Sequence, residues 1–103
     1  MSHEYRDRIY IRKDILIALT EMGGLNQTAL MSRCGLNIVT HRDILEDMEQ
    51  KGFISKIEEA WGSKKIIKYN VTEKGIRICK QVLEPYEELF PRKKKANKAR
   101  ETF

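Results

Sequence analysis

The sequence predicts a small, mainly helical domain with one β-hairpin (α+β class), its elements in the order α-α-α-β-β-α. Three observations support this prediction. Apolar residues recur at helical spacing in four segments, glycines follow three of these segments, and two runs rich in β-branched and aromatic residues flank a glycine-serine pair. The chain has 103 residues, of which 41% are hydrophobic and 34% charged, which suits one compact domain.

The first three helices are predicted from apolar spacing and from their capping residues. They should cover about 5–22, 27–34 and 38–51, and a glycine follows each of them. Asn26 and Asn37 precede the second and third helices, where a side-chain oxygen can accept free backbone amides. Because a tight turn joins the second helix to the third, the pair is predicted to form a helix-turn-helix.

The second half of the chain predicts a hairpin and a last helix. The strands should cover 53–59 and 65–71, with a tip of four or five residues within about 60–65. Thr72 caps the last helix, and Pro85 should kink or restart it. Its apolar residues advance by three and four positions: Ile76, Cys79, Leu83, Tyr86 and Phe90. This seam fits either the core of the same chain or a homodimer interface formed with the first helix.

Positive charge is concentrated at the C-terminal end. Residues 1–90 contain 14 basic and 14 acidic residues, whereas residues 91–103 contain six basic residues and one acidic residue. We therefore divide the chain into a folded domain over 1–90 and a mobile basic tail over 91–103. The tail is either a solubilising terminus or a phosphate-binding arm, through Arg92, Lys93, Lys94 and Lys95.

Two glycine-ending segments carry a family resemblance: Lys51-Gly52-Phe53-Ile54 and Tyr69-Asn70-Val71-Thr72-Glu73-Lys74-Gly75. With the order of elements and with Leu36, Leu45 and Met48, they resemble the small winged helix-turn-helix transcriptional regulators of archaea. These include the chromatin-associated proteins of Sulfolobus, and MarR-like and PadR-like regulators share the motifs. The resemblance covers about 5–90 and implies a cytoplasmic, nucleoid-associated homodimer that binds double-stranded DNA. The chromatin-associated relatives dimerise through a long, uninterrupted last helix. In this chain Pro85 and Pro91 interrupt the corresponding stretch.

In a winged helix the third helix enters the major groove while the hairpin contacts the backbone. Residues that face outward at the start of the third helix can bind base edges, phosphates or a thymine methyl: Asn37, Val39, Thr40 and Arg42. Arg42 is also spaced to pair with Glu46. Further phosphate contacts are predicted on the second helix and the wing, from Gln27, Thr28, Lys64, Lys65 and Lys68.

The acidic half of the third helix argues against this function. Asp43, Glu46, Asp47 and Glu49 would be repelled by phosphates deep in the groove. Two alternatives therefore stay open: a winged-helix module that binds another protein, and a chromatin protein that coats DNA without regard to sequence.

Enzymatic and metal-binding motifs are missing from the sequence, so we predict no catalytic residue, cofactor or metal. His41 should be a hydrogen-bonded packing residue, and Cys34 and Cys79 should be reduced thiols of a cytosolic protein. Trp61 should either fill the gap between wing and core or mark an exposed binding patch. The apolar runs are all too short for a membrane span.

Overall fold

Helices and a small antiparallel sheet alternate along residues 8–92, the part of the chain that the computed structural model describes. The bounds are α1 Arg8–Met22, β1 Leu25–Asn26, α2 Gln27–Cys34, α3 Ile38–Gln50, β2 Ile54–Trp61, β3 Lys64–Val71, α4 Glu73–Ile78, a π-helical turn Cys79–Leu83 and α5 Glu84–Leu89. This order confirms the predicted fold class. The predicted start of the first helix before residue 8 and the tail beyond residue 92 lie outside the described residues.

Helix α1 runs through the centre of the core. Its residues Ile15, Leu16 and Leu19 are fully buried, because the other helices and the sheet pack around it. The remaining fully buried side chains come from α2, α3 and β2: Leu30, Ile44, Leu45, Met48 and Ile54. The broad apolar stripe of the first helix therefore reflects burial on more than one side.

The predicted caps are confirmed. In each case a side-chain oxygen accepts a backbone N–H of the first turn: Asn26 from Ala29 at 2.8 Å, Asn37 from Val39 at 2.7 Å, and Thr72 from Gly75 at 3.0 Å. Gly35 ends α2 in the left-handed region at φ 67°, where a side chain would be strained. These local contacts fix the start of α3 relative to α2.

The sheet differs from the predicted hairpin in two ways. Its strand order is β1-β3-β2, because Leu25 and Asn26 pair with β3 beside the hairpin. A two-residue strand has no alternation pattern, so the sequence does not reveal it. The predicted tip of four or five residues is also wrong: the strands extend to Trp61 and from Lys64, which leaves a two-residue turn. Gly62, at φ 63°, supplies the positive φ that such turns need at their first position.

The two segments that carry the resemblance meet in one contact. The single hydroxyl proton of Thr72 is shared between the carbonyl oxygens of Gly52 and Phe53, at 2.6 and 3.0 Å from Oγ1, so the start of α4 is tied to the end of α3. Gly75 lies so close that an added Cβ would overlap the Phe53 carbonyl oxygen. Glycine at this position therefore reflects close packing of α4 against the chain that leaves α3.

The last helix continues through Pro85, but the turn before this proline is a π-helical turn, which is wider than an α-helical one. The N–H of Glu84 donates to the carbonyl of Cys79, five residues back, and α5 starts again at Glu84. This change before the proline agrees with the predicted restart. Cys79 and Leu83 are buried in the same chain, which agrees with the first of the two predicted roles of the seam, the core of one chain, while the dimer interface stays a prediction. Among residues 8–92, no helix is long and apolar enough to cross a membrane.

Candidate nucleic-acid interface

The helix-turn-helix holds α3 with one side in the core and the other exposed. The N–H groups of Gly35 and Leu36 donate to carbonyls of the last turn of α2, at 3.2 and 2.8 Å. Ile44, Leu45 and Met48 anchor the inner side of α3. His41 is half-buried, and its Nδ1 accepts the N–H of Asn37 at 3.1 Å, which confirms its packing role. Both ends of the turn are thus fixed by short-range contacts.

The predicted residues at the start of α3 are accessible. Val39 is 85% exposed, and Thr40 and Arg42 are exposed as well. Asn37 is exposed, but its side-chain oxygen caps the helix. The predicted ion pair between Arg42 and Glu46 does not form, and within residues 8–92 the guanidinium of Arg42 has no ion-pair partner. Its donors are available to a ligand.

The start of α2 adjoins this surface. Gln27 is half-buried and Thr28 is exposed. Both line a shallow depression that also contacts Leu36 and Ile38, at the beginning of α3. The fold therefore brings together the predicted residues of the second helix and the first turn of the third.

The acidic residues of α3 are largely paired with cations. Arg8 contacts Asp43 at 2.6 Å, and Arg12 contacts Asp47 at 2.7 Å. We call these two contacts between α1 and α3 the recognition-side pairs. Lys51 also contacts Asp47 at 2.8 Å. Hydrogen bonding from Arg8 lowers the pKa of Asp43, and hydrogen bonding from Lys51 and then Arg12 lowers the pKa of Asp47. Both carboxylates therefore stay ionised but neutralised.

Cations also approach the side of α3 that faces the sheet. Lys56 of β2 lies 3.9 Å from Glu49. Burial raises the pKa of Tyr69 on β3, and the fields of Lys56 and Arg42 act in the opposite direction. The sequence did not reveal the roles of Arg8, Arg12 and Lys56, because each of these cations belongs to a different element from its carboxylate. Only Lys51 is at the i,i+4 spacing from Asp47 that a sequence shows.

The wing presents lysines and an exposed tryptophan. Lys64 and Lys65 are exposed and Lys68 is half-buried. Lys65 lies 3.6 Å from Glu58 and Lys68 3.9 Å from Glu59, so two of the three lysines have a nearby carboxylate. Trp61 is 60% exposed, which contradicts the predicted plug between wing and core and supports the exposed patch.

Arg92 is held on the body of the domain. Its guanidinium contacts Glu87 at 2.6 and 2.9 Å and Asp14 at 2.9 Å, and it lies 4.7 Å over the ring of Tyr10. Lys13 contacts the same Glu87 at 2.8 Å. We call these five residues the terminal cluster. Hydrogen bonding from Arg92 lowers the pKa of Glu87 to about 2. The prediction that Arg92 belongs to a mobile tail is therefore wrong.

The remaining residues singled out in the sequence are the two cysteines, three lysines of the tail and the exposed part of the predicted dimer seam. Cys34 is half-buried, and Cys79 is a buried free thiol whose pKa is raised by burial. Lys93, Lys94 and Lys95 lie outside the described residues. Ile76 and Phe90, from the predicted dimer seam, are 36% and 58% exposed, whereas Tyr86 packs against the ring of Tyr10.

A family model described as winged helix-turn-helix matches residues 5–90. The chain belongs to the winged helix-turn-helix family. This match confirms the predicted resemblance and agrees with the winged-helix arrangement of α2, α3 and the hairpin. Comparison with curated protein sequences found no significant match.

Three solved structures illustrate the likeness of this winged helix-turn-helix chain. A transcriptional regulator from Clostridium thermocellum has a TM-score of 0.66 at 23% identity, over 80% of this chain and 87% of that one. A PadR family regulator from Eggerthella lenta has a TM-score of 0.59 at 19% identity, over 80% of each chain. The PcaV transcriptional regulator from Streptomyces coelicolor has a TM-score of 0.62 at 21% identity, over 69% of this chain. This chain spans about half, 52%, of the PcaV chain.

Proposed function

We propose that this protein is a regulator of transcription that binds double-stranded DNA with the start of α3 in the major groove. The observation that carries the proposal is the joint exposure of Val39, Thr40 and Arg42 on a helix whose opposite side is fixed in the core. Arg42 would bind a base edge or phosphate, and Val39 would contact a thymine methyl. A regulator of this kind acts on the chromosome, so we assign it to the cytoplasm and the nucleoid.

The wing and the tail supply contacts that do not depend on sequence. Lys64 lies at the turn of the hairpin, where it can reach a phosphate. Gln27 and Thr28 add a contact beside the start of α3. The tail adds Lys93, Lys94 and Lys95. Arg92 is left out of this set because Glu87 and Asp14 already satisfy its guanidinium.

Homodimerisation is part of the proposal, with an interface that keeps Ile76 and Phe90 of the predicted seam and adds other exposed apolar residues. The apolar residues that remain exposed at the end of α1 and along the last helix are Met22, Ile76, Val82, Leu89 and Phe90. They would bury apolar surface between two copies. A twofold dimer of this kind binds two half-sites about one helical turn of DNA apart.

The test begins with selection of preferred duplexes from a random pool, followed by anisotropy titration of a preferred and a scrambled duplex. Arg42→Ala should weaken binding to the preferred duplex about 10- to 100-fold, because a bidentate base contact contributes about 1–3 kcal/mol. Binding to the scrambled duplex should change much less. Arg77→Ala is the matched control, since it removes an exposed arginine of α4. A homodimer should select a palindrome.

Two outcomes would contradict this proposal. If no duplex binds at low salt, the protein is better explained as a protein-interaction module, which the exposed Trp61 favours. If preferred and scrambled duplexes bind equally and Arg42→Ala affects both alike, the protein coats DNA without regard to sequence. The winged helix-turn-helix family is typically non-enzymatic, and we propose no reaction for this member.

A further inference from the structure

The recognition-side pairs form two rungs between α1 and α3. Arg8 and Arg12 are four residues apart on α1, and their partners Asp43 and Asp47 are four residues apart on α3. Residues four positions apart lie on the same side of a helix, so one side of α1 follows one side of α3 for a full turn. The first half of α1 therefore supplies cations to the helix that is proposed to enter the groove.

We propose that Arg8 and Arg12 are positioning residues for DNA binding, which neutralise Asp43 and Asp47 so that α3 can approach phosphates. This inference rests on the proposed function. Helix α3 carries four carboxylates and one arginine, so an unpaired α3 would be repelled by a duplex. The carboxylates remain ionised, so cations have to supply the neutralisation.

Exposure favours Arg8–Asp43 as the pair with the greater effect on DNA binding. The side chains of Arg8 and Asp43 are 49% and 63% exposed, against 23% and 29% for Arg12 and Asp47. Asp43 lies one turn after Val39, on the exposed part of α3. With the start of α3 in the major groove, a charge there would be close enough to phosphates to act within the Debye length, about 8 Å at physiological salt, so its neutralisation would change affinity.

The experiment is a charge cycle measured by anisotropy titration against a random duplex. Arg8→Gln should weaken binding about two- to fivefold, because it leaves Asp43 unpaired. Asp43→Asn should strengthen binding by a similar factor and steepen its salt dependence. The double variant should return close to the wild-type affinity, because both charges of the pair are then absent.

Arg33 and Glu21 provide the matched control. They form an exposed ion pair at 3.4 Å near the other end of α1, about 20 Å along the helix from Arg8. Arg33→Gln changes the net charge as Arg8→Gln does, but it removes the partner of Glu21 on α1 instead of a partner of α3, so it should change affinity less. The melting temperature of each variant shows that it is folded.

Three results would overturn the inference. If the double variant stays as weak as Arg8→Gln, then Arg8 contacts DNA directly instead of neutralising Asp43. If Asp43→Asn does not strengthen binding, the carboxylate does not oppose DNA. If Arg33→Gln weakens binding as much as Arg8→Gln, only net charge matters. Failure of the wild-type protein to bind any duplex is a separate result, and it would refute the proposed function itself.

Discussion

Helix α1 forms ion pairs on two sides, and water reaches one of the recognition-side pairs, Arg8–Asp43, far more than it reaches the pairs of the terminal cluster. The recognition-side pairs join α1 to α3, and in Arg8–Asp43 about half or more of each side chain is exposed. The terminal cluster joins α1 to the end of the last helix, and its Arg92 and Glu87 side chains are only 18% and 20% exposed.

The same chemistry therefore has two consequences. Water screens an exposed pair, so that pair adds little to stability but still determines the charge that a ligand meets. A half-buried pair becomes costly when one partner is removed, because the other charge is left with little water around it. We expect the terminal cluster to stabilise the fold and the recognition-side pairs to adjust DNA binding.

The largest expected effect is on stability, from Arg92→Ala. This variant removes the cation that pairs with both Glu87 and Asp14 and that lies over the ring of Tyr10. We expect the free energy of unfolding in urea to fall by about 1–3 kcal/mol, less than for a fully buried pair because water still reaches the cluster.

The matched control for Arg92→Ala replaces the next three tail residues, Lys93, Lys94 and Lys95, with glutamine. This triple variant should unfold at the wild-type urea concentration while the salt dependence of its DNA binding becomes shallower, by about 0.9 per lost phosphate contact. Equal stability of the Arg92→Ala and triple variants would show that the terminal cluster does not stabilise the fold.

The pH dependence of stability tests the same cluster with a smaller expected effect. The pKa of Glu87 is about 2 in the folded protein, below the usual value of 4.5. The unfolded chain therefore takes up this proton at a higher pH than the folded chain, so stability falls as pH decreases from about 5 to about 2.

Glu87→Gln should flatten the stability curve in that acidic window and cost about 1–2 kcal/mol at neutral pH. Urea denaturation at a series of pH values measures both effects. Glu88→Gln is the control, since Glu88 is exposed and has no ion pair in the described part of the chain. An unchanged acid slope in Glu87→Gln would show that Glu87 gains nothing from Arg92.

The sequence predicts best what neighbouring residues determine. Asn26, Asn37 and Thr72 cap helices by accepting backbone N–H groups two or three residues away, and Gly35 ends α2 through its own left-handed backbone conformation. Such contacts need no knowledge of the rest of the fold. The start of α3 and its exposed side were predictable for the same reason, since helical spacing alone separates Val39 from the buried residues.

The sequence does not reveal contacts between distant residues. Arg8 and Asp43 are 35 residues apart, and Arg92 and Asp14 are 78 residues apart. In the sequence, Arg92 is simply the first cation of a basic run, and its role follows only from the packing of α5 against α1. The acidic half of α3 was misleading in the same way, because its partners come from another helix.

The smallest expected effect separates the two recognition-side pairs by stability. Arg12 and Asp47 are less exposed than Arg8 and Asp43, and Asp47 also contacts Lys51. Arg12→Gln should therefore lower the urea midpoint slightly, whereas Arg8→Gln should leave it within experimental error. The order of destabilisation should be Arg92→Ala, then Arg12→Gln, then Arg8→Gln, while Arg8→Gln should affect DNA affinity more than Arg92→Ala does. If Arg8→Gln destabilises the fold as much as Arg92→Ala, exposure does not separate the two sets, and a loss of DNA binding in Arg8→Gln would reflect unfolding.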